Sequence, residues 1–118
     1  MRQLILGAAL AVLVPFAAQA QDAAAGEKVF ATCKACHAFG KNGVGPDLKG
    51  LIGRKAGTHE GYNYSAAMKN SGLTWDSATF MEYIKDPKAK VPGNKMIFAG
   101  VKDDKKIKDL EAYLETQK

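Results

Sequence analysis

Cys33, Cys36 and His37 fall within the stretch TCKACH, and the chain of 118 residues has no other cysteine and only one other histidine, His59. On a helix or helical turn, positions i, i+3 and i+4 share a face, so two sulfurs and an imidazole would point the same way. Four chemistries compete for that face. A tetrahedral zinc site needs four ligands, and His59 would have to complete it while the neighbours Cys36 and His37 both bound one ion, a strained arrangement. A thioredoxin-like redox pair belongs at a helix start inside a βαβ unit, and no strand pattern is present to hold one. A disulfide across so few residues closes almost no loop and would stabilise little. Covalent haem attachment through C-x-x-C-H remains, each sulfur forming a thioether and His37 binding the iron.

The front of the chain bears on where such chemistry takes place. Arg2 precedes the apolar run LILGAALAVLVPF, and AQA at 18–20 has the small-x-small form of a signal peptidase site. The run is shorter than the about 20 residues that span a bilayer. The expected organisation is therefore a signal peptide at 1–20 and one domain at 21–118, exported to the periplasm or an equivalent compartment. The alternative is an uncleaved leader that anchors the domain. In that compartment cysteines persist when paired or chemically capped.

Cleavage after Ala20 leaves 118 − 20 = 98 residues, one small domain that buries only a modest share of its surface. A large apolar cofactor would supply core that the chain lacks. Removing Arg2 leaves sixteen of the seventeen basic residues against twelve acidic ones, a net charge of +4 before any cofactor charge. Basic exported proteins meet acidic proteins or membranes, and the compartment disfavours nucleic acid. No repeat, low-complexity segment or long linker divides the chain.

The elements that must position the motif read as helices separated by glycine-rich loops. Val29, Phe30 and Cys33 at helical spacing predict a helix over 23–36 with the motif at its C-terminal end. GKNGVGP (40–46) and GLIGRKAG (50–57) cannot be regular structure and should wrap something. Ser65 caps a short helix through Asn70, stopped at Gly72. Thr74 or Asp76 caps another through Lys85, ended by Pro87. From Asp103 to about Thr116, Ile107, Leu110 and Leu114 form an apolar stripe at i, i+3, i+7. Gly26 costs the first helix about 1 kcal/mol relative to Ala, acceptable where a second helix crosses closely. The expected fold class is all-α with long loops.

Iron held by His37 needs a sixth ligand or an open position. Met68, Met81, Met96 and His59 are the candidates. Met68 and Met81 fall in predicted helices, where methionine is most often core filler. Met96 follows VPGNK, a turn, and precedes Ile97 and Phe98. Spacing alone leaves Met96, His59 and an open site as alternatives.

CKACH, GPDLKGLIGRKAG, YNYSAAMKNSGLTW, FMEYIKDPKAKVPGNKMIFAG and the closing DLEAYL together resemble class I cytochromes c, close to the mitochondrial protein and the small bacterial c2 type. The resemblance covers nearly all of the exported chain. It implies the small class I cytochrome c fold around one covalently attached haem c, with Cys33 and Cys36 as thioether attachment points, His37 as proximal ligand and Met96 as distal ligand. Pro46 then matches the proline whose carbonyl receives the other imidazole N–H. Arg54, Tyr64 and Trp75 match positions that meet the haem propionates, and Tyr83 the tyrosine beside the methionine sulfur. Gly26 and Phe30 against Leu110 and Tyr113 match the crossing of first and last helices. Two positions depart from the common pattern: Asn94 replaces a frequent threonine and Met68 a frequent asparagine, and both should change buried hydrogen bonding around the propionates and Tyr83.

The same resemblance implies an electron-transfer protein and not an enzyme, a monomeric carrier between a membrane quinol-cytochrome c reductase and an oxidase, photosynthetic reaction centre or reductase. Lys34, Lys41, Lys88, Lys90 and Lys95 would form the docking rim, while Asp103, Asp104, Asp109, Glu111 and Glu115 crowd the last helix at the far side. The rival is a haem enzyme or gas sensor with an open distal site.

Phe39, Leu48, Leu51, Ile52, Trp75, Phe80, Ile84, Ile97 and Phe98 are expected to bury against the cofactor, so a chain that cannot attach it lacks a packed centre. Replacing both Cys33 and Cys36 with Ala is expected to give a largely unfolded, poorly accumulating chain, measured by circular dichroism and yield. A cooperatively folded, haem-free double variant would show that the cysteines are incidental.

Overall fold

Among the described residues five helices carry the domain: α1 Ala23–Phe30, α2 Ala66–Lys69, α3 Ser77–Lys85, α4 Pro87–Lys90 and α5 Asp104–Glu115. The computed structural model describes residues 21–118, and the expected signal peptide, 1–20, lies outside the described residues. Among the described residues there is no strand, only one isolated antiparallel bridge between Lys55 and Thr74.

Side-chain caps set most helix starts. Asp22, Ser65, Asp76, Asp86 and Asp103 each accept hydrogen bonds from backbone N–H groups in the first turn that follows. The expected cap of α3 thus resolves to Asp76. Pro87 does end α3, and it also opens α4 at its first position, where a missing N–H costs nothing. That short helix was not legible in the sequence.

The first helix is shorter than its apolar spacing predicts. It stops at Phe30, and residues 31–36 continue as tight turns in which Ala31, Thr32 and Cys33 N–H groups bond three residues back. The N–H groups of Cys36 and His37 then both donate to the Cys33 carbonyl, at 3.1 and 2.9 Å. This helical turn preserves the i, i+3, i+4 placement of the two sulfurs and the imidazole without a long helix.

The crossing of α1 and α5 is the tightest packing in the domain. A Cβ built on Gly26 would sit 1.8 Å from the Asp109 carbonyl oxygen and 2.9 Å from Tyr113 Cβ, so backbone meets backbone there. Phe30 stacks on Phe39 with ring centroids 4.9 Å apart and meets Tyr113 at 5.4 Å. Ile107, Leu110 and Leu114, the predicted stripe, are buried. The Asp22 N–H donates to Asp109 Oδ1 at 2.9 Å, and Lys105 reaches the same oxygen at 2.7 Å, so one carboxylate ties the start of α1 to α5. On the other flank, the Ser77 hydroxyl donates to the buried Glu111 carboxylate at 2.9 Å and joins α3 to α5.

A methyl group at Gly26 would have to push backbone aside, not merely a flexible side chain. Gly26→Ala is expected to destabilise the holoprotein by about 1–3 kcal/mol or more, read as a lower denaturation midpoint with little change in slope. An unchanged midpoint would mean that the crossing is looser than the contact distances imply.

Candidate functional site

Between α3, α5 and the connecting loops lies a cavity of about 580 Å³. That is within the range of small-molecule and cofactor clefts, about 300–1,000 Å³. Leu48, Leu51, Trp75, Phe80, Ile84 and Leu110 give it an apolar wall. Cys33, Cys36 and His37 border it from the turn after α1, and Met96 borders it from the loop after α4. The glycine-rich loops do wrap a space, as the sequence suggests.

His37 is fixed in orientation. Its Nδ1 lies 2.9 Å from the Pro46 carbonyl, and since a carbonyl only accepts, Nδ1 carries the proton and Nε2 keeps its lone pair. The ring packs flat against Gly45, where a Cβ would come within 2.3 Å of a ring carbon. Burial pushes the His37 pKa below its ordinary value, partly opposed by the Pro46 hydrogen bond, which favours the neutral ring that a metal requires. Burial also raises the Cys33 thiol, while Cys36 is exposed.

Met96 is held as deliberately. The Tyr83 hydroxyl donates to Met96 Sδ at 3.2 Å, and Asn94 Oδ1 accepts from the Met96 N–H at 2.8 Å. Tyr83 packs on Trp75 at 4.8 Å, and burial first, with a smaller effect of Tyr62, raises its pKa to about 12, so the hydroxyl remains a donor at any physiological pH. Among the other candidates for the second ligand, Met68 borders the cavity from α2, but Met81 and His59 do not. Among the described residues, Met96 is the methionine whose sulfur accepts a hydrogen bond.

Arg54, Tyr64, Trp75 and Tyr83 all border the cavity. The expectations for the apolar wall need three corrections. Phe39 packs with Phe30 and Tyr113 at the helix crossing, and Ile52 lies outside the cavity wall. Ile97 touches the rim but is 96% exposed. The Asn94 amide nitrogen donates to the carbonyls of Pro87 and Val91, at 2.9 and 2.8 Å, and locks the turn that carries Met96. Of the five rim lysines, Lys95 borders the cavity, and Lys90 is paired with Glu82. On α5, Asp109 and Glu111 are buried, so fewer carboxylates face solvent there than their count suggests.

The residues fit a large apolar cofactor attached through two thiols and gripped by a nitrogen and a sulfur donor, the donor set of a covalently held haem. Such a fold and site define the class of haem-attaching electron-transfer proteins. Comparison with known proteins narrows it. The cytochrome c family model matches residues 23–118. A cytochrome c2 of Blastochloris viridis is 56% identical over 117 residues, which cover 97% of this chain and 92% of that protein. A cytochrome c-550 of Bradyrhizobium diazoefficiens is 60% identical over 95 residues, covering 78% of this chain and 70% of that protein. The solved structure of cytochrome cH from Methylobacterium extorquens superimposes with a TM-score of 0.79 at 61% identity, covering 80% of this chain and 98% of that one.

The chain belongs to the cytochrome c family, as a class I c-type cytochrome of the c2 type. It is an electron-transfer protein, not an enzyme, with one covalently attached haem c.

Asp47 braces the loop behind His37. Burial alone would raise its pKa, but N–H donors from Lys49 and Gly40, each at 2.8 Å, with His59 and Arg54 nearby, hold it below the ordinary 3.8. A carboxylate depressed in the folded state contributes stability that is complete above the ordinary value and lost as pH falls through the folded one. Asp47→Asn is expected to cost about 1–2 kcal/mol at neutral pH, with the difference shrinking as pH drops below 3.8. Denaturation midpoints across that range check it, and a difference that does not shrink on acidification would assign the loss to shape and not to charge.

Proposed function

We propose that this chain is a soluble periplasmic one-electron carrier in which Cys33 and Cys36 would hold the haem through thioether bonds and His37 and Met96 would bind its iron. The observation that carries this reading is that two donors border one cavity, each already oriented by its own hydrogen bonds. The bound haem supplies a reversible one-electron iron couple. The chain's residues do the rest. Pro46 holds the imidazole with Nε2 free, and Tyr83 and Asn94 hold the thioether in place. The apolar wall excludes water and favours the less charged, reduced state. With both donors preset, little rearranges between oxidation states, and no position is left for a substrate. Arg54, Tyr64 and Trp75 border the cavity, and their polar hydrogens would hold the haem's carboxylates.

The proposed setting is export with removal of residues 1–20, followed by monomeric shuttling from a membrane quinol-oxidising cytochrome complex to an oxidase, reaction centre or reductase. Among the described residues no helix is long and apolar enough to cross a membrane. The names of the relatives, cytochrome c2 and cytochrome c-550, accord with a carrier.

Optical spectra of the purified protein test the ligand set directly. The reduced protein is expected to be low-spin and to bind carbon monoxide barely or slowly, whereas Met96→Ala opens the site and lowers the potential. Rapid binding by the unmutated protein would favour a haem enzyme or sensor instead.

Docking is proposed through Lys34, Lys41, Lys88, Lys90 and Lys95. Of these, Lys34, Lys41, Lys88 and Lys95 are exposed, and Lys90 is half-buried. Lys105 is tied to the buried Asp109, so Lys106, exposed on α5, is the proper control. Reversing Lys88 and Lys95 to Glu is expected to slow the bimolecular rate with an acidic-faced acceptor by roughly 10-fold or more at low salt. Lys106→Glu should do much less, and the gap should close at about 0.15 M salt, where charges are screened beyond about 8 Å. Stopped-flow rates over a salt series decide it: equal losses, or no salt dependence, would mean that the lysine rim is not the docking face.

A further inference from the structure

Arg54 reaches the cavity with its guanidinium anchored from behind. Its Nη2 donates to the Asp47 carbonyl at 2.8 Å, and its Nη1 to the Lys49 carbonyl and to His59 Nδ1, both at 3.3 Å. A guanidinium has only donors, so Nδ1 must accept and the ring proton sits on Nε2. That nitrogen lies 3.7 Å from Asp47 Oδ2. The His59 backbone N–H donates to the hydroxyl of Tyr64, another cavity residue, at 3.2 Å. The side chain is 29% exposed, so solvent protons reach it.

We propose that His59 is the positioning residue for Arg54 and that its proton is coupled to the electron carried in the cavity. This rests on the haem reading above. Neutral His59 offers Nδ1 to Arg54 and helps hold the guanidinium at the cavity wall. A proton taken from water at Nδ1 turns that acceptor into a donor facing another donor, so the bond to Arg54 is lost and two cations oppose each other, with Asp47 left as the counter-ion of the imidazolium. The charged and titratable groups that face the ring are Asp47 from the loop before Lys49, Arg54 from the loop before Gly57, and Tyr64 ahead of α2. Glu60 is adjacent in sequence, with its carbonyl bonded to Asn42.

The charge balance gives the sign. An electron delivered by the donor protein adds one negative charge in the cavity, and a proton on Nδ1 adds one positive charge beside it, so each favours the other. The coupling is reciprocal: the reduced protein holds the His59 proton more tightly, and the protonated protein has the higher potential. Apart from the solvent O–H bond that breaks and the N–H bond that forms at Nδ1, no covalent bond changes.

The test uses the full holoprotein. Its potential is measured by equilibrium titration across about pH 5–8, the window in which histidines change charge, and the His59 ring is followed by NMR in both oxidation states. The potential is expected to fall as pH rises, and the ring should titrate at higher pH in the reduced protein. His59→Gln supplies an oxygen for Arg54 but no titrating group, so the slope should vanish while the potential stays at the alkaline level of the parent. His59→Ala should also lose the slope, and its Arg54 guanidinium protons should exchange faster with solvent than those of His59→Gln. Should a variant fail to fold, the two ring titrations of the unmutated protein decide alone. Equal ring midpoints in both oxidation states, or a full slope retained in His59→Gln with normal spectra, would overturn the role of His59 while leaving the ligand set intact. A reduced protein that is high-spin would overturn the ligand reading and this proposal with it.

Discussion

The chain's own side chains do not fill the space between α3, α5 and the loops, and everything else in the structure follows from that constraint. A domain of this size has few residues to place in a core, and here many of its apolar side chains face inward onto a shared cavity instead of onto one another. The loops around it are consequently not slack connectors. Each brings one donor or one wall to the cavity and is then tied down elsewhere, as Pro46 is to His37 and Asn94 is to the backbone of α4.

The α1–α5 crossing supplies the rigidity that the cavity cannot. Glycine at 26 allows the two helices to meet backbone to backbone, and the turn carrying Cys33, Cys36 and His37 leaves directly from that contact. The attachment motif is thus anchored to the best-packed part of the molecule. A buried carboxylate on each flank of α5 pins a neighbour: Asp109 binds the start of α1, and Glu111 binds Ser77 of α3. The two behave oppositely on titration. Hydrogen bonds from Lys105 and the Asp22 N–H hold Asp109 low, whereas burial raises Glu111 against the pull of Ser77. Acid therefore weakens the first tie while relieving a cost carried by the second.

What was legible in the sequence was local. The C-x-x-C-H spacing, the cap at Ser65, the choice of Thr74 or Asp76 as the next cap, and the stripe on α5 each depend on residues a few positions apart, and each appears where the spacing put it, with Asp76 the cap of the two. Interactions across the chain were not legible. Spacing could not separate Met96 from its rivals, since the hydroxyl that orients its sulfur is 13 residues away, and the family resemblance selected it instead. Phe39, Ile52 and Ile97 were misplaced for a related reason: in loops no period of 3.6 or 2 reports which way a side chain faces. The helix predicted through residue 36 ended at Phe30 because the chain tightens to three-residue hydrogen bonds, which leave the apolar spacing almost unchanged.

The two donors are held by unequal means, and the inequality bears on how the carrier is tuned. His37 is gripped by backbone groups, the Pro46 carbonyl and the Gly45 surface, which substitution can hardly alter without moving the chain. Met96 is gripped by side chains, Tyr83 and Asn94, which substitution can replace one atom at a time. A hydroxyl donating to a thioether draws electron density from the sulfur that is proposed to bind iron, so the Tyr83 bond weakens that donor toward the oxidised state while fixing its position. Variation in potential at constant fold should accordingly be concentrated on the Met96 side of the cavity, and the His37 side should vary mainly in stability.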